Sequence, residues 1–199
     1  ILVTGPMADA PYDQLGTWAF DGEEAYTVTP LTALRKDYEV VYEPALAYSR
    51  DASTAGIPAA VAAARGVDAV VAFVGEEAIL SGEAHSLSQI NLQGAQSELI
   101  KALKATGKPI VVVVIAGRNL TIERDLENCD AMLYSFHPGT MGGEALADLI
   151  TGRAVPSGKS PVTFLRDAGQ APFYYNHPMT GRPNSGTETL LNDIPLKAG

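Results

Sequence analysis

The sequence predicts an α/β fold: a mostly parallel sheet flanked by helices, layered like a flavodoxin, with an irregular C-terminal tail. Three observations carry that expectation. Six short apolar runs recur along the chain, rich in Val and lacking clean alternation, as strands buried on both faces require. The segments between them carry helix signals, and strand–helix alternation reads as a doubly wound sheet. Beyond Asp167 the alternation dissolves into a stretch rich in Pro, Asn, Thr and Gly. The expected organisation is therefore a sandwich domain over 1–166 and an extended tail over 167–199, packed on the sandwich or on a neighbouring domain.

The expected strands are Ile1–Thr4, Glu39–Tyr42, Asp68–Val74, Ile110–Ile115, Ala131–Ser135 and a weaker Pro161–Phe164. The first expected helix, Pro30–Lys36, follows Thr29, a good capping residue. Ile57–Arg65 is Ala-rich and has Pro58 in its first turn. Gln93–Thr106 sets Ala95, Leu99, Ala102 and Leu103 at helical spacing, and Gly107 stops it. Gly143–Thr151 groups Leu146, Ala147 and Ile150, and Gly152 ends it. Because the chain opens inside the first strand, at Ile1-Leu2-Val3-Thr4-Gly5, further residues are expected upstream.

Bulk properties exclude several functions. A net charge of −9 repels phosphate backbones and anionic membranes, so neither nucleic acid nor membrane is an expected partner. The longest apolar runs fall far short of the roughly 20 residues of a membrane-spanning helix. One cysteine, Cys129, allows no internal disulfide and reads as a small buried apolar residue. The three histidines do not stand at metal-ligand spacing, so no metal and no cofactor is expected; His137 and His177 read as structural.

Ligands of open parallel sheets bind beyond the carboxyl ends of the strands. After the third strand the chain reads Gly75-Glu76-Glu77-Ala78-Ile79-Leu80-Ser81-Gly82-Glu83-Ala84-His85-Ser86. Its three carboxylates and one histidine form the densest titratable cluster in the chain. A carboxyl group that protonates a glycosidic oxygen needs a raised pKa, which burial and neighbouring carboxylates supply. The plainer reading is a solvated acidic loop. Trp18, after the first strand, offers a face for stacking on a sugar, against the plainer reading of a packing residue. Gly139-Thr140-Met141-Gly142-Gly143 lacks the Lys-Ser/Thr of a phosphate loop and reads as a tight strand-to-helix turn. Gly-x-Ser-x-Gly is absent, so Ser81 is no elbow nucleophile.

Several segments in order resemble the C-terminal sandwich domain of glycoside hydrolase family 3, in its bacterial periplasmic β-glucosidase branch. They are Ile1–Pro6, Gly16–Trp18, Gly75–Glu83, Gly107–Leu120 with Ala116-Gly117-Arg118, Pro138–Gly143 and Pro156–Phe164. The tail adds Gln170-Ala171-Pro172-Phe173-Tyr174-Tyr175 and Thr180-Gly181-Arg182-Pro183. The resemblance implies a six-stranded (α/β)6 sandwich and retaining, exo-acting hydrolysis of β-glucosides. It implies Glu83 as the catalytic acid/base, with Trp18, Glu76 and His85 as substrate-binding candidates. The Asp nucleophile is implied to lie on a (β/α)8 barrel upstream, with a fibronectin-like domain downstream and a periplasmic or secreted location. A homodimer is left open. Asn119 and Ser160 stand where the family usually has Pro and Leu, and both departures look structural.

Three alternatives stand beside this reading. One is a β-xylosidase or another β-glycosidase of the same family. Another is a non-catalytic sugar-binding or structural module. The last is a flavin or nucleotide binder, disfavoured because Gly5-Pro6-Met7 after the first strand offers no phosphate loop.

Overall fold

A computed structural model describes residues 1–178. Thr180-Gly181-Arg182-Pro183 and the rest of the tail lie outside the described residues. Five strands form one all-parallel sheet: β1 (Leu2–Thr4), β2 (Val41–Glu43), β3 (Val70–Gly75), β4 (Ile110–Ile115) and β5 (Ala131–Tyr134), in the order β2-β1-β3-β4-β5. The helices are α1 (Pro11–Leu15), α2 (Pro30–Leu34), α3 (Ile57–Arg65), α4 (Gln96–Lys104), α5 (Glu123–Leu126) and α6 (Gly142–Ile150).

Residue alternation along each strand feeds two apolar layers. Leu2, Val70, Ala72, Val74, Ile110, Val112 and Val114 face α3 and α4, where Ile57, Ala60, Leu99, Ile100 and Leu103 close the layer. Val3, Val71, Phe73, Val113 and Ile115 face the other side, against Leu31 and Leu34 of α2 and Leu146 and Ala147 of α6. That two-sided burial is why the central strands read as unbroken Val runs. β2 and β5 are the sheet edges, and their residues are only half-buried or exposed.

Local signals act where expected. Thr29 caps α2 by accepting from the Thr32 amide at 3.3 Å. Gly107 and Gly152 take positive φ at helix stops. The Gly139–Gly143 turn uses its own amides internally: Gly142 N–H donates to Gly139 O and Gly143 N–H to Val28 O, both at 3.0 Å.

Two expectations need correction. Pro161–Phe164 adds no sixth strand. Proline at its start removes a ladder donor, and the segment is held by a side-chain bond from Asn119 Nδ2 to Thr163 O and by Phe164 packed edge-on against Tyr134 at 4.8 Å. Cys129 is half-buried rather than enclosed, its Sγ 3.5 Å from Leu126 O.

The order β2-β1-β3 places the site. From β1 the chain moves outward to β2, then returns across β1 to β3 and continues the other way. The connections leaving β1 and β3 run to opposite ends of the sheet, so the ligand crevice of such a sheet is expected at the carboxyl ends of these two strands.

Candidate functional site

The segments after β1, β3, β4 and β5 meet at this crevice. β3 ends at Gly75, where φ is +145° and a β-carbon would lie 1.7 Å from Ile115 O, so only glycine lets the chain leave the sheet here. Glu76 N–H then donates to Ile115 O at 2.9 Å, and the next ten residues form the acidic loop.

The three loop carboxylates are dispersed rather than gathered. Glu76 points inward, its side chain 1% exposed, and accepts from Arg118 Nε at 3.1 Å. Burial pushes its pKa up, and Arg118 opposes that shift. Glu77 turns toward Arg50, which forks onto both carboxylate oxygens at 3.0 Å, while Ser49 Oγ donates at 2.8 Å. Those bonds hold its pKa below the usual value. Glu83 is exposed and makes no ion pair among the described residues. The burial and like-charge neighbours expected around Glu83 are thus not supplied by this domain, because each neighbour is already neutralised by an arginine.

The loop is pinned beneath and at both feet. Asp13 Oδ1 accepts from the Ala78 amide at 2.8 Å, and burial raises the Asp13 pKa. Thr17 Oγ1 bonds Ala78 O and, at 2.7 Å, Ser81 O. Ser81 Oγ lies 3.2 Å from His137 Nε2, and His137 Nδ1 lies 3.2 Å from the Asp13 carbonyl. A carbonyl only accepts, so Nδ1 carries the proton and Nε2 accepts from Ser81. Burial lowers the His137 pKa, favouring that neutral form. Gly117 seats the loop from below: a β-carbon there would meet Ser81 Oγ at 2.0 Å.

The remaining candidates sit at the rim. Trp18 is 57% exposed, with Phe20 against it edge-on at 6.1 Å. Trp18 is thus not packed into the core of this domain. Its neighbour Thr17 ties the two loops together. His85 is exposed, with Nδ1 3.3 Å from Ser81 O. Glu76 is sealed beneath the loop.

A family model described as the glycosyl hydrolase family 3 C-terminal domain matches residues 1–192. This chain belongs to that family. Among its family 3 relatives is a periplasmic beta-glucosidase from Salmonella typhimurium, 38% identical over 92% of this chain and 27% of the relative. A beta-xylosidase from Formosa agariphila is 35% identical over 88% of this chain and 25% of its own length. The crystal structure of a beta-glucosidase from Listeria innocua in complex with isofagomine superposes with a TM-score of 0.88 at 37% identity, covering 98% of this chain and 28% of that one. The chain spans about a quarter of the length of the relatives it matches.

Sequence reading singled out Glu76, Glu83 and His85 in the loop after β3 and Trp18 in the segment after β1; Trp18, Glu83 and His85 are exposed and Glu76 is buried. The same reading missed Asp13, Arg50 and Thr17 and assigned Arg118 no role. They act only through loops that are distant in sequence. The one local clue was Gly117 beside Arg118, a glycine at the end of a Val run where backbone must pass closely. Among the described residues no three of His, Cys, Asp or Glu are grouped to hold a metal ion. No helix there is long and apolar enough to cross a membrane.

Proposed function

We propose that this chain is the sandwich domain of a retaining, exo-acting β-glucosidase and that Glu83 is its catalytic acid/base. The observation that carries the proposal is the placement of Glu83. Among the described residues it is the one loop carboxylate without an ion pair, and it is exposed on the loop that follows β3, where the strand order reverses.

Retaining glycosidases use two carboxyl groups about 5–5.5 Å apart. One attacks the anomeric carbon; the other protonates the leaving oxygen and then deprotonates the incoming water. Glu76 and Glu77 are held by arginines, so neither supplies the second group. An Asp on a (β/α)8 barrel elsewhere in the full polypeptide is the proposed nucleophile. Docking of that barrel over the loop would place Glu83 beside the substrate's leaving oxygen and exclude water around it. Trp18 and His85 are the proposed sugar contacts at the rim. Glu76 acts from beneath and does not contact the sugar. Residues 167–199 are proposed as a tail that packs on the sandwich or on a neighbouring domain, with a fibronectin-like domain beyond. The likeness to a periplasmic beta-glucosidase supports a periplasmic or secreted location.

A β-xylosidase is the second reading, favoured by the beta-xylosidase relative and by the exo-beta-xylosidase structure that matches with a TM-score of 0.75 at 32% identity over 81% of this chain and 21% of that one. Comparing kcat/KM for aryl β-glucoside and aryl β-xyloside in the full polypeptide separates them.

Glu83→Ala in the full polypeptide tests the central claim. The expected result is a loss of about 100- to 10,000-fold in kcat/KM on cellobiose, while on an aryl β-glucoside with a good leaving group azide speeds turnover of the glycosyl-enzyme and is recovered as a β-glucosyl azide. Near-normal activity on cellobiose would sink the assignment.

A further inference from the structure

We propose that Arg118 is the positioning residue of the acid/base loop, held in place by the buried carboxylate of Glu76; this rests on the reading of Glu83 as the acid. Arg118 Nη2 donates to Leu80 O and, at 3.2 Å, to His85 O. These carbonyls bracket the segment that bears Glu83. One guanidinium thus clamps both feet of a short loop.

The tip cannot hold itself. Its internal ties are the His85 amide to Gly82 O at 3.2 Å and His85 Nδ1 to Ser81 O at 3.3 Å. Ala84, next to Glu83, sits at φ +62°, a left-handed conformation that a non-glycine residue adopts at a cost. Such strain persists only where surrounding contacts impose it, and Arg118 provides two of them.

Arg118 is in turn fixed from below. Its Nε meets Glu76 Oε2, while the buried Oε1 of Glu76 has no hydrogen-bond partner. Among the described residues Arg118 is therefore the counter-charge that pairs with Glu76, in a setting where water screens little. Tyr134 Oη donates to the Arg118 carbonyl and accepts from the Leu120 amide at 3.0 Å, which fastens the backbone of this segment to β5. Lysine could keep the charge but has no planar fork to serve Glu76 and two carbonyls together.

The test uses the full polypeptide and reads kcat/KM, which reports the first glycosidic cleavage. Cellobiose has a poor leaving group and needs the acid; 2,4-dinitrophenyl β-glucoside does not. For Arg118→Met the expected loss on cellobiose is about 30- to 100-fold, against less than about 3-fold on the dinitrophenyl substrate. Arg118→Lys is expected to recover less than half of the loss on a logarithmic scale. An equal loss on both substrates, no loss, or full recovery by Lys overturns the proposal. Should Arg118→Met fail to fold, Glu76→Gln replaces it, with an expected selective loss on cellobiose of about 10-fold; an equal loss or none again overturns it. Glu83→Ala run alongside separates the two claims. If that variant lacks leaving-group dependence, the acid assignment fails. If it shows the dependence and the Arg118 variants do not, only the positioning role falls.

Discussion

Replacing Gly117 by Ala tests whether the seat of the loop on β4 sets the position of Glu83. The added β-carbon would lie 2.0 Å from Ser81 Oγ and 2.6 Å from His137 Nε2. To regain the 3.4 Å of ordinary contact, Ser81 must retreat by about 1.4 Å or the strand end must shift. Ser81 is not free to turn aside, because its carbonyl accepts from Thr17 at 2.7 Å and its hydroxyl faces His137 at 3.2 Å. The foot of the loop moves with it, two residues from Glu83. Overpacking of this kind costs about 1–3 kcal/mol. A domain of this size loses roughly 2–4 °C of melting midpoint per kcal/mol, so the sandwich transition should fall by roughly 2–12 °C. A displacement of about 1 Å at the acid should also cost up to about 100-fold in kcat/KM on cellobiose. Differential scanning calorimetry and steady-state kinetics on the full polypeptide measure both quantities. A variant that melts and turns over like its parent would refute the claim that the backbone at Gly117 positions the loop.

Three further outcomes follow from the same contacts. Burial holds the His137 pKa below its ordinary 6.5, so the folded chain binds fewer protons there than the unfolded one; stability present above pH 6.5 is lost as pH falls through the folded value. His137→Gln should flatten that slope in melting midpoints taken from pH 7 to 5, and an unchanged slope would count against it. Glu77 has its pKa lowered first by Arg50, so its contribution is present above the ordinary 4.5 and disappears as pH falls through the folded value. Glu77→Gln should lower the urea midpoint at pH 7, and the deficit should shrink as pH falls below 4.5; a deficit independent of pH would contradict this. Trp18→Ala should leave the melting midpoint within about 2 °C, because the ring is 57% exposed, yet lower kcat/KM on cellobiose up to about tenfold; full activity would remove Trp18 from the site.

What the sequence made legible follows from how each element is stabilised. Burial on both faces wrote β3 and β4 as Val runs, and α3 was bounded by Pro58 and Gly66 as local chemistry dictates. The short helices α1 and α5 escaped notice because four or five residues carry no periodicity. Pro161–Phe164 had strand composition but no partner to pair with, and pairing is a tertiary fact that composition does not encode. The site divides in the same way. Glu76, Glu77 and Glu83 were visible as a cluster in one dimension. Their separation into one buried, one forked and one free carboxylate depends on Arg118 and Arg50, which arrive from other loops.

That separation bears directly on chemistry. Had the three carboxylates shared one solvated patch, each would have raised the pKa of the others and any of them could have served as the acid. Instead Arg118 commits Glu76 to holding the loop from within, and Arg50 commits Glu77 to its flank. Glu77 is held on both oxygens by Arg50, and Glu76 is buried beneath the loop, so neither is presented to a substrate from this loop. Among the described residues Glu83 is the loop carboxylate left exposed and without an ion pair, in the loop that follows β3. A two-carboxylate mechanism at this crevice must therefore draw its second carboxylate from outside the loop. The proposed barrel nucleophile is consistent with that requirement.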